Sequence, residues 1–600
     1  MENSRNFLIA MALSIAVLIG WQFFVISPRS EAQRQLEQSQ QATLQTPTTP
    51  AGTTQDPAVS PAGRESVVPT SQSPEVTGQT RDTALAANPR IPIDTPSVSG
   101  SINLQGARLD DLRLKGYHET VSDSSPTIVL LSPETIGKDA YFAELGYTGQ
   151  NVGALPGPQT LWTATPGQTL TPATPVTLTA TNGQGLTFTR TISVDDKFMF
   201  TIEDRVANTS GAPVAVSSYG RVVRFSKPEV ASAYVLFEGL LGVFGDDGLH
   251  EVKYHNIEEE KETNPPSASN GWLGITDKYW ATALIPPQND GTFQPHFRYS
   301  ADGRSYYQSD YLEQPVTIEP GATVSTSSRV FAGAKVVDVI NGYEHDLGIR
   351  QFGQLIDWGW FYFITKPMFW AIDHLYTLTG NFGVAILLIT VILKLFFFPL
   401  ASKSYKSMAK MKTVQPKLTE LREKYADDRA KQQQEMMRIY KEEKINPAAG
   451  CWPVLVQIPV FFALYKVLYI TIEMRHAPFF GWIHDLAAPD PTSLFNLFGL
   501  IPITLPHLLM VGVWPMLMGI TMFIQMRLNP TPPDPAQQMV FTWMPVIFTF
   551  MMASFPAGLV IYWTWNNTLS ITQQSIIMKR HGAKIELWDN LSGMFRKKKA

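Results

Sequence analysis

A single cysteine, Cys451, stands in 600 residues, which excludes an internal disulfide and a thiolate-held metal cluster. There is no basic excess either. The 48 Lys and Arg are set against 52 Asp and Glu, for a net charge of −4, so bulk charge gives no sign of nucleic-acid binding. The front half contains no nucleophile elbow, no H-E-x-x-H and no phosphate loop. Its histidines, His118, His250, His255 and His296, are scattered and read as surface or core residues. The apolar segments of the back half carry neither paired aspartates nor a Ser–His pairing. No catalytic, cofactor-binding or metal residue is therefore assigned, and an enzyme ranks last among the functions considered.

What is present is unevenly distributed. Residues 1–6 form a short head, and Phe7 to Ile26 is a run of mostly apolar residues too long for a signal peptide and without an A-x-A cleavage site. It reads as an uncleaved membrane anchor. Residues 28–99 are rich in Gln, Thr, Pro, Ser and Ala, which bury too little apolar surface to offset chain entropy and imply a disordered tether. From 100 to 345 the texture is that of short alternating strands. Thr177–Ala180, a turn at Asn182-Gly183 and Leu186–Val194 read as a hairpin, and the whole as a large antiparallel β-sandwich. Asn208-Thr209-Ser210 matches a glycosylation triplet, and Glu258-Glu259-Glu260 reads as a solvated loop.

The back half predicts an α-helical membrane core, so the chain as a whole reads as a multi-domain integral membrane protein. An aromatic-rich amphipathic stretch at 347–376 suits a helix in the membrane interface. Five spans are expected at 383–402, 451–472, 507–526, 539–555 and 558–578, each near the ~20 residues a crossing needs. Phe495 to Leu505 is apolar but short, with prolines at 502 and 506, and is assigned to an interfacial or re-entrant piece of the loop 473–506. The segment 403–446 carries twelve Lys and Arg, 473–506 only Arg475, and the tail 579–600 seven. The positive-inside rule then places 403–446, the loop 527–538 and both termini in the cytoplasm, and the β domain outside.

Lys394 lies within the first core span, with Thr390 four residues earlier on the same helical face. An ammonium at that depth costs about 2.5–3.5 kcal/mol on insertion scales and marks a functional site unless the side chain snorkels to the headgroups. Gln457, Asn566 and Asn567 are further polar groups at membrane depth, fit either to line a cavity or to join helices. In 403–446, Met411, Val414, Leu418, Leu421 and Tyr425 recur at helical spacing, Asp427 is a plausible cap, and a second helix runs through Met436 to Tyr440. This predicts a helical hairpin. Lys410, Lys412, Lys417, Arg422 and Lys424 are its candidate contacts for ribosomal RNA or anionic lipid, although a merely solvated basic hairpin would look the same.

The segments KPMFWAID, TVILKLFFFPL, SMAKMKTVQPKL, EMMRIYKEEKINPAAGCWPVLVQIPVFFALYKVL, WPMLMGITMFIQ, DPAQQMVFTWMPVIFTF and FPAGLVIYWTWNN resemble the YidC membrane protein insertases. The anchor, tether and outer domain resemble the long Gram-negative form by layout. The resemblance implies a five-helix core in the inner membrane with a hydrophilic groove, closed toward the periplasm. One positive residue there receives polar parts of a nascent membrane protein, alone or with the Sec translocon and its accessory subunits. It also implies contact with the ribosome and membrane lipids, and no small-molecule substrate or cofactor. Lys394 matches the charged position, where the family usually has arginine; Thr390 matches a groove residue, and Tyr562 with Trp563 an aromatic pair. A small-solute transporter or channel is the alternative, against which the absence of visible internal repeats weighs.

Overall fold

The computed structural model describes residues 68–70, 79–149, 152–228, 236–301, 303–425, 428–443, 452–499, 501, 510–529 and 535–580. The expected anchor, most of the tether, Cys451, Asp427, residues 502–506 of the expected re-entrant piece and the tail from 581 on lie outside the described residues. Two units partition the chain, and the larger, Glu65–Pro530 with Met544–Ala600, holds everything described here except the start of one helix.

Residues 90–334 form two antiparallel sheets, one of ten strands and one of nine. Alternation of side chains sets the pairing. In Leu186–Val194 every second residue is buried, and the strand pairs with Met199–Asn208 from Leu186↔Asn208 to Val194↔Phe200. The hairpin before it closes as the sequence predicts, with Thr181 opposite Thr187. Asn182 Oδ1 accepts the N–H groups of Gln184 and Leu186, while Gly183 and Gly185 take the positive φ the turn requires. The inner faces bury Phe188, Phe200, Trp272, Phe331 and Tyr311 in one core. Within it Arg190 makes a bidentate pair with Asp204 at 2.8 and 2.7 Å, directly across the two strands.

Three expectations change in this domain. The folded part begins before residue 100, with a short helix α1 (Arg81–Ala86) and strands Arg90–Asp94 and Val98–Asn103. Ile91 and Ile93 alternate inward even though Pro92 and polar neighbours mask them in composition. The acidic triplet ends helix α2 (Tyr254–Glu260), where Glu258 bonds Lys227. Asn208 is fully buried, its Nδ2 donating to Ala212 O and Ile318 O, so the triplet is a turn and not an accessible acceptor.

Helix α3 (Val337–Asp346) packs back on the sandwich, and a short 3-10 turn, Phe352–Leu355, buries Phe352 in the same core. The stretch 347–376 is therefore not one interfacial helix. Its first part belongs to the β domain, Gly359 breaks the chain at φ +72°, and helix α4 runs only from Tyr362 to Thr379. Trp360, Phe363 and Trp370 remain exposed around its start and along one side.

The remaining helices are α5 (Phe382–Phe396), α6 (Phe398–Lys424), α7 (Arg429–Glu442), α8 (Trp452–Ile470), α9 (Val513–Leu528), α10 (Pro535–Met552) and α11 (Ala557–Arg580). Taken singly, no described helix is long and apolar enough to cross a membrane; α5 and α6 together are, but they bend by 67°. The expected unbroken segment 383–402 thus ends at Phe397. Pro399 cannot donate to a continuing helix and instead opens a new one, so α6 runs on without a break into the basic segment. The helical hairpin is formed by α6 and α7, with Val414, Leu418 and Tyr440 buried between them. Its second helix is capped by Asp428, whose side chain accepts from Lys431 N at 3.0 Å.

Polar contacts join the β domain to the helical part among the described residues. Lys466 on α8 pairs with Asp357 at 2.6 Å, and the same carboxylate accepts Phe237 N. Glu473 Oε1 accepts Val337 N at 2.7 Å, supplying α3 with a cap its own residue Val336 cannot provide. Arg475 donates to His118 O at 2.6 Å and lies over the rings of Tyr279 and Trp280.

Candidate functional site

The helical region holds a small, partly open recess, lined by α5, the first turns of α6, α8 and α11. Helix periodicity explains how α11 reaches it. Tyr562, Asn566, Ser570 and Gln574 follow at four-residue steps and form a buried polar stripe on a helix made otherwise mostly of apolar residues.

Lys394 enters from α5, half-buried, and its Nζ donates to Ser570 Oγ at 2.7 Å. Ser570 in turn donates to Asn566 O at 2.7 Å, so its hydroxyl is oriented as an acceptor toward the ammonium. Among the described residues no carboxylate pairs with Lys394. Thr390, buried one turn earlier, donates to Ile386 O at 2.6 Å and lines the recess. Gln457 on α8 donates to Tyr562 Oη and joins two walls of the site. Asn566 Oδ1 and Gln573 Nε2 are buried with no partner among the described residues. Among the described residues the recess therefore offers one cation, one spare acceptor and one spare donor, and the serine beside the cation, Ser570, has its proton directed to Asn566 O.

Five of the six residues expected in the groove meet there: Lys394, Thr390, Gln457, Tyr562 and Asn566. Trp563 does not. One residue along a helix is a turn of about 100°, and its ring packs edge-on against Phe461 and Phe548 instead, with centroids 4.7 and 5.8 Å away. Asn567 serves helix contact, donating to Thr521 Oγ1 at 3.3 Å. Ser570, Gln573 and Tyr405, which also border Lys394 or the recess, are absent from the sequence-based set. The four-residue spacing from Tyr562 through Asn566 to Ser570 was the signal that could have found the first of these.

On the hairpin, Lys410, Lys417 and Lys424 are exposed, while Lys412 and Arg422 are half-buried. Lys417 is paired with Glu443 at 2.9 Å, and Lys424 lies 5.6 Å from the Tyr425 ring centroid. Among the described residues no cluster of His, Cys, Asp and Glu could hold a metal ion.

Comparison with known proteins bears on all of this at once. Residues 90–371 match the family described as the YidC periplasmic domain, and residues 374–584 match the 60Kd inner membrane protein family. The chain belongs to the YidC family of membrane protein insertases. A membrane protein insertase YidC of Brucella suis biovar 1 is 62% identical over 607 residues, covering 100% of this chain and 99% of that one. The YidC of Mesorhizobium japonicum is 60% identical over 600 residues, again covering 100% and 99%. A solved structure of an active YidC insertase aligns at 17% identity with a TM-score of 0.35, over 83% of this chain and 93% of that one. The YidC periplasmic domain family thus reaches past the sandwich into α4, in agreement with the packing of Phe352 on the β-domain core. Inner-membrane residence and a periplasmic β domain come with the family, and the names of the relatives are those of insertases, not enzymes.

Proposed function

We propose that the recess around Lys394 is where this insertase receives the polar parts of nascent membrane proteins. The observation that carries this is the ammonium of Lys394, held by Ser570 with no carboxylate partner among the described residues, beside the unpaired Asn566 Oδ1 and Gln573 Nε2. A polar or acidic segment costs about 2.5–3.5 kcal/mol per charged residue at the centre of hydrocarbon on insertion scales. A cation and two spare amide atoms replace part of its lost hydration, so the barrier falls without any bond being made or broken.

The topology proposed with this reading has the anchor 7–26 and five core spans, with both termini and the hairpin cytoplasmic. The charge distribution supports it: twelve cationic residues in 403–446 and seven in 579–600, against one in 473–506. In that arrangement the bend at Phe397 brings the polypeptide out of the apolar layer close to Lys394, and the recess opens to the side from which new chains arrive. The hairpin is then available to ribosomes through Lys410, Lys412, Arg422 and Lys424, and the Sec translocon is a natural neighbour for longer clients.

Site-specific photocrosslinkers at Thr390, Gln457 and Gln573 during translation of a short membrane protein test the reading. Crosslinks to the nascent chain from all three, lost with Lys394→Glu together with insertion, are expected. Unchanged insertion by Lys394→Glu in cells depleted of the native insertase would refute the charge role.

A further inference from the structure

The ten-stranded sheet has a face turned away from the sandwich core, and that face is charged and yet buried. Glu144, Arg221, Asp310 and His296 stand in one cross-strand row, with Arg221 opposite both Glu144 and Asp310, and His296 opposite Asp310. Their sequence neighbours Ala143, Val222 and Phe297 point the other way, into the sandwich core. Glu144 and Asp310 are 0% exposed, Arg221 1% and Gln308 0%. A charged outer face at that burial requires a cover.

Part of the cover is a piece of the tether. Arg221 Nη1 donates to Pro69 O at 3.0 Å, and Gln308 Nε2 reaches the same oxygen at 3.4 Å. Val68 is 1% exposed, whereas Thr70 faces solvent. The contact is made to the main chain by two side chains fixed elsewhere. Arg221 is held by Glu144 at 3.2 Å, and Gln308 also donates to Asp310 Oδ2 at 2.8 Å. Among the described residues Gln308 Oε1 is buried with no partner, and Pro69 has no N–H to offer it. A prepared pair of donors, a spare acceptor and a pocket for one branched side chain together make a seat for extended polypeptide. Proline keeps the residue before it extended, but it leaves the acceptor unfilled, so the occupant is held by less than the seat can give.

We infer that the β domain carries a binding seat for an extended peptide segment, built from Arg221 and Gln308, and that its resident ligand is the chain's own Val68–Thr70. The tether is clipped to the outer domain some twenty residues before the first strand at Arg90. Its free length is then set by whether the seat is filled. This extends beyond the insertion site, with which it shares no residue.

The test uses the full chain in detergent micelles and a fluorescein-labelled peptide of residues 64–72, read by anisotropy. Val68→Asp puts a charge into the buried pocket and empties the seat of its resident. Saturable binding to this variant is expected, with binding to the unmodified protein weaker by about tenfold because the resident competes at high local concentration. Adding Gln308→Leu to Val68→Asp lowers the affinity about tenfold through the lost hydrogen bond, and a peptide with Asp in place of Val68 does not bind. Circular dichroism establishes that each variant is folded. Should Val68→Asp not fold, replacing residues 66–70 by Gly and Ser serves in its place. Failure of the labelled peptide to bind a folded, emptied protein, equal binding to both forms, or unfolding of both emptied variants would each overturn the inference, the last by making the segment an integral part of the sandwich.

Discussion

Lys466 Nζ lies 2.6 Å from Asp357 Oδ2, and the two residues are 109 positions apart in the chain. One belongs to a core helix and the other to the segment that leaves the β domain, and both are largely withdrawn from water. Removing a single member of such a pair leaves an uncompensated charge and costs about 3–5 kcal/mol, whereas replacing both by apolar groups is often tolerated. Asp357→Ala and Lys466→Met should each lower the thermal midpoint in detergent, and the double variant should recover most of the loss. A double variant as unstable as the sum of the singles would show that the pair contributes only through separate contacts.

Ser570 provides a sharper probe of the proposed insertion site than deleting the charge. Ser570→Asp sets a carboxylate against the Lys394 ammonium and neutralises it locally, so insertion should fall nearly as far as with Lys394→Met. Ser570→Asn keeps a neutral oxygen there and should retain most activity. Membrane insertion of a short client, followed by protease protection, distinguishes the two. Equal activity of the Asp and Asn variants would mean that the cation need not be unpaired.

Lys394→Arg tests the departure from the arginine usual in the family. Both cations serve if only charge matters, while arginine adds a planar fork suited to carboxylates. Insertion should be preserved, with the largest gain for clients whose translocated segment is acidic, measured as the ratio of acidic to neutral client inserted.

Glu473 gives the junction a pH dependence. Burial raises its carboxyl to about 7, with Val337 N–H partly opposing the rise. The folded value lies above the ordinary 4.5, so the protonated form favours the folded state. Its stabilisation is complete below about pH 4.5 and is lost as pH rises to about 7. Glu473→Gln keeps an oxygen for Val337 and removes the charge. It should raise the melting temperature at pH 8 relative to the unmodified protein and flatten the dependence between pH 5 and 8. A variant with the same pH slope as the unmodified protein would rule out Glu473 as its source.

The hairpin cations are not equivalent. Lys417 already faces Glu443, while Lys410 is exposed. Neutralising Lys410 with Gln should weaken co-sedimentation with ribosomes and reduce the salt slope by about 0.7–0.9. Lys417→Gln should do so less, since its charge is offset within the hairpin.

Much of this was legible in the chain itself. Period-two alternation in segments such as Leu186–Val194 announced the sandwich, and a lysine in an apolar run pointed to the recess proposed as the site. The start of the sandwich was hidden because Arg90–Asp94 carries only two inward isoleucines among polar neighbours and a proline. The first part of 347–376 looked amphipathic for a helix because Phe352 and Leu355 do face an apolar core, but that core is the sandwich's. Ser570 escaped notice because a serine in a helix carries no signal of its own; only its partner, 176 residues away, gives it one. Lys466, in the run expected to span at 451–472, carries the same local signal as Lys394, and only its pairing with Asp357 tells the two apart, which is a property of the folded neighbourhood and not of the run.

The contacts of Lys466 and Glu473 also decide where the outer domain can be cut away. An excision that stops short of Val336 spares the cap that Glu473 gives α3 and the counterion of Lys466, though it removes Phe237. One that runs on through Asp357 strands an ammonium and a carboxyl inside the remaining helices. Truncated forms of the second kind would report the damage done to the core, not the work of the missing domain, and the last twenty or so residues before α4 are better regarded as the core's own foundation.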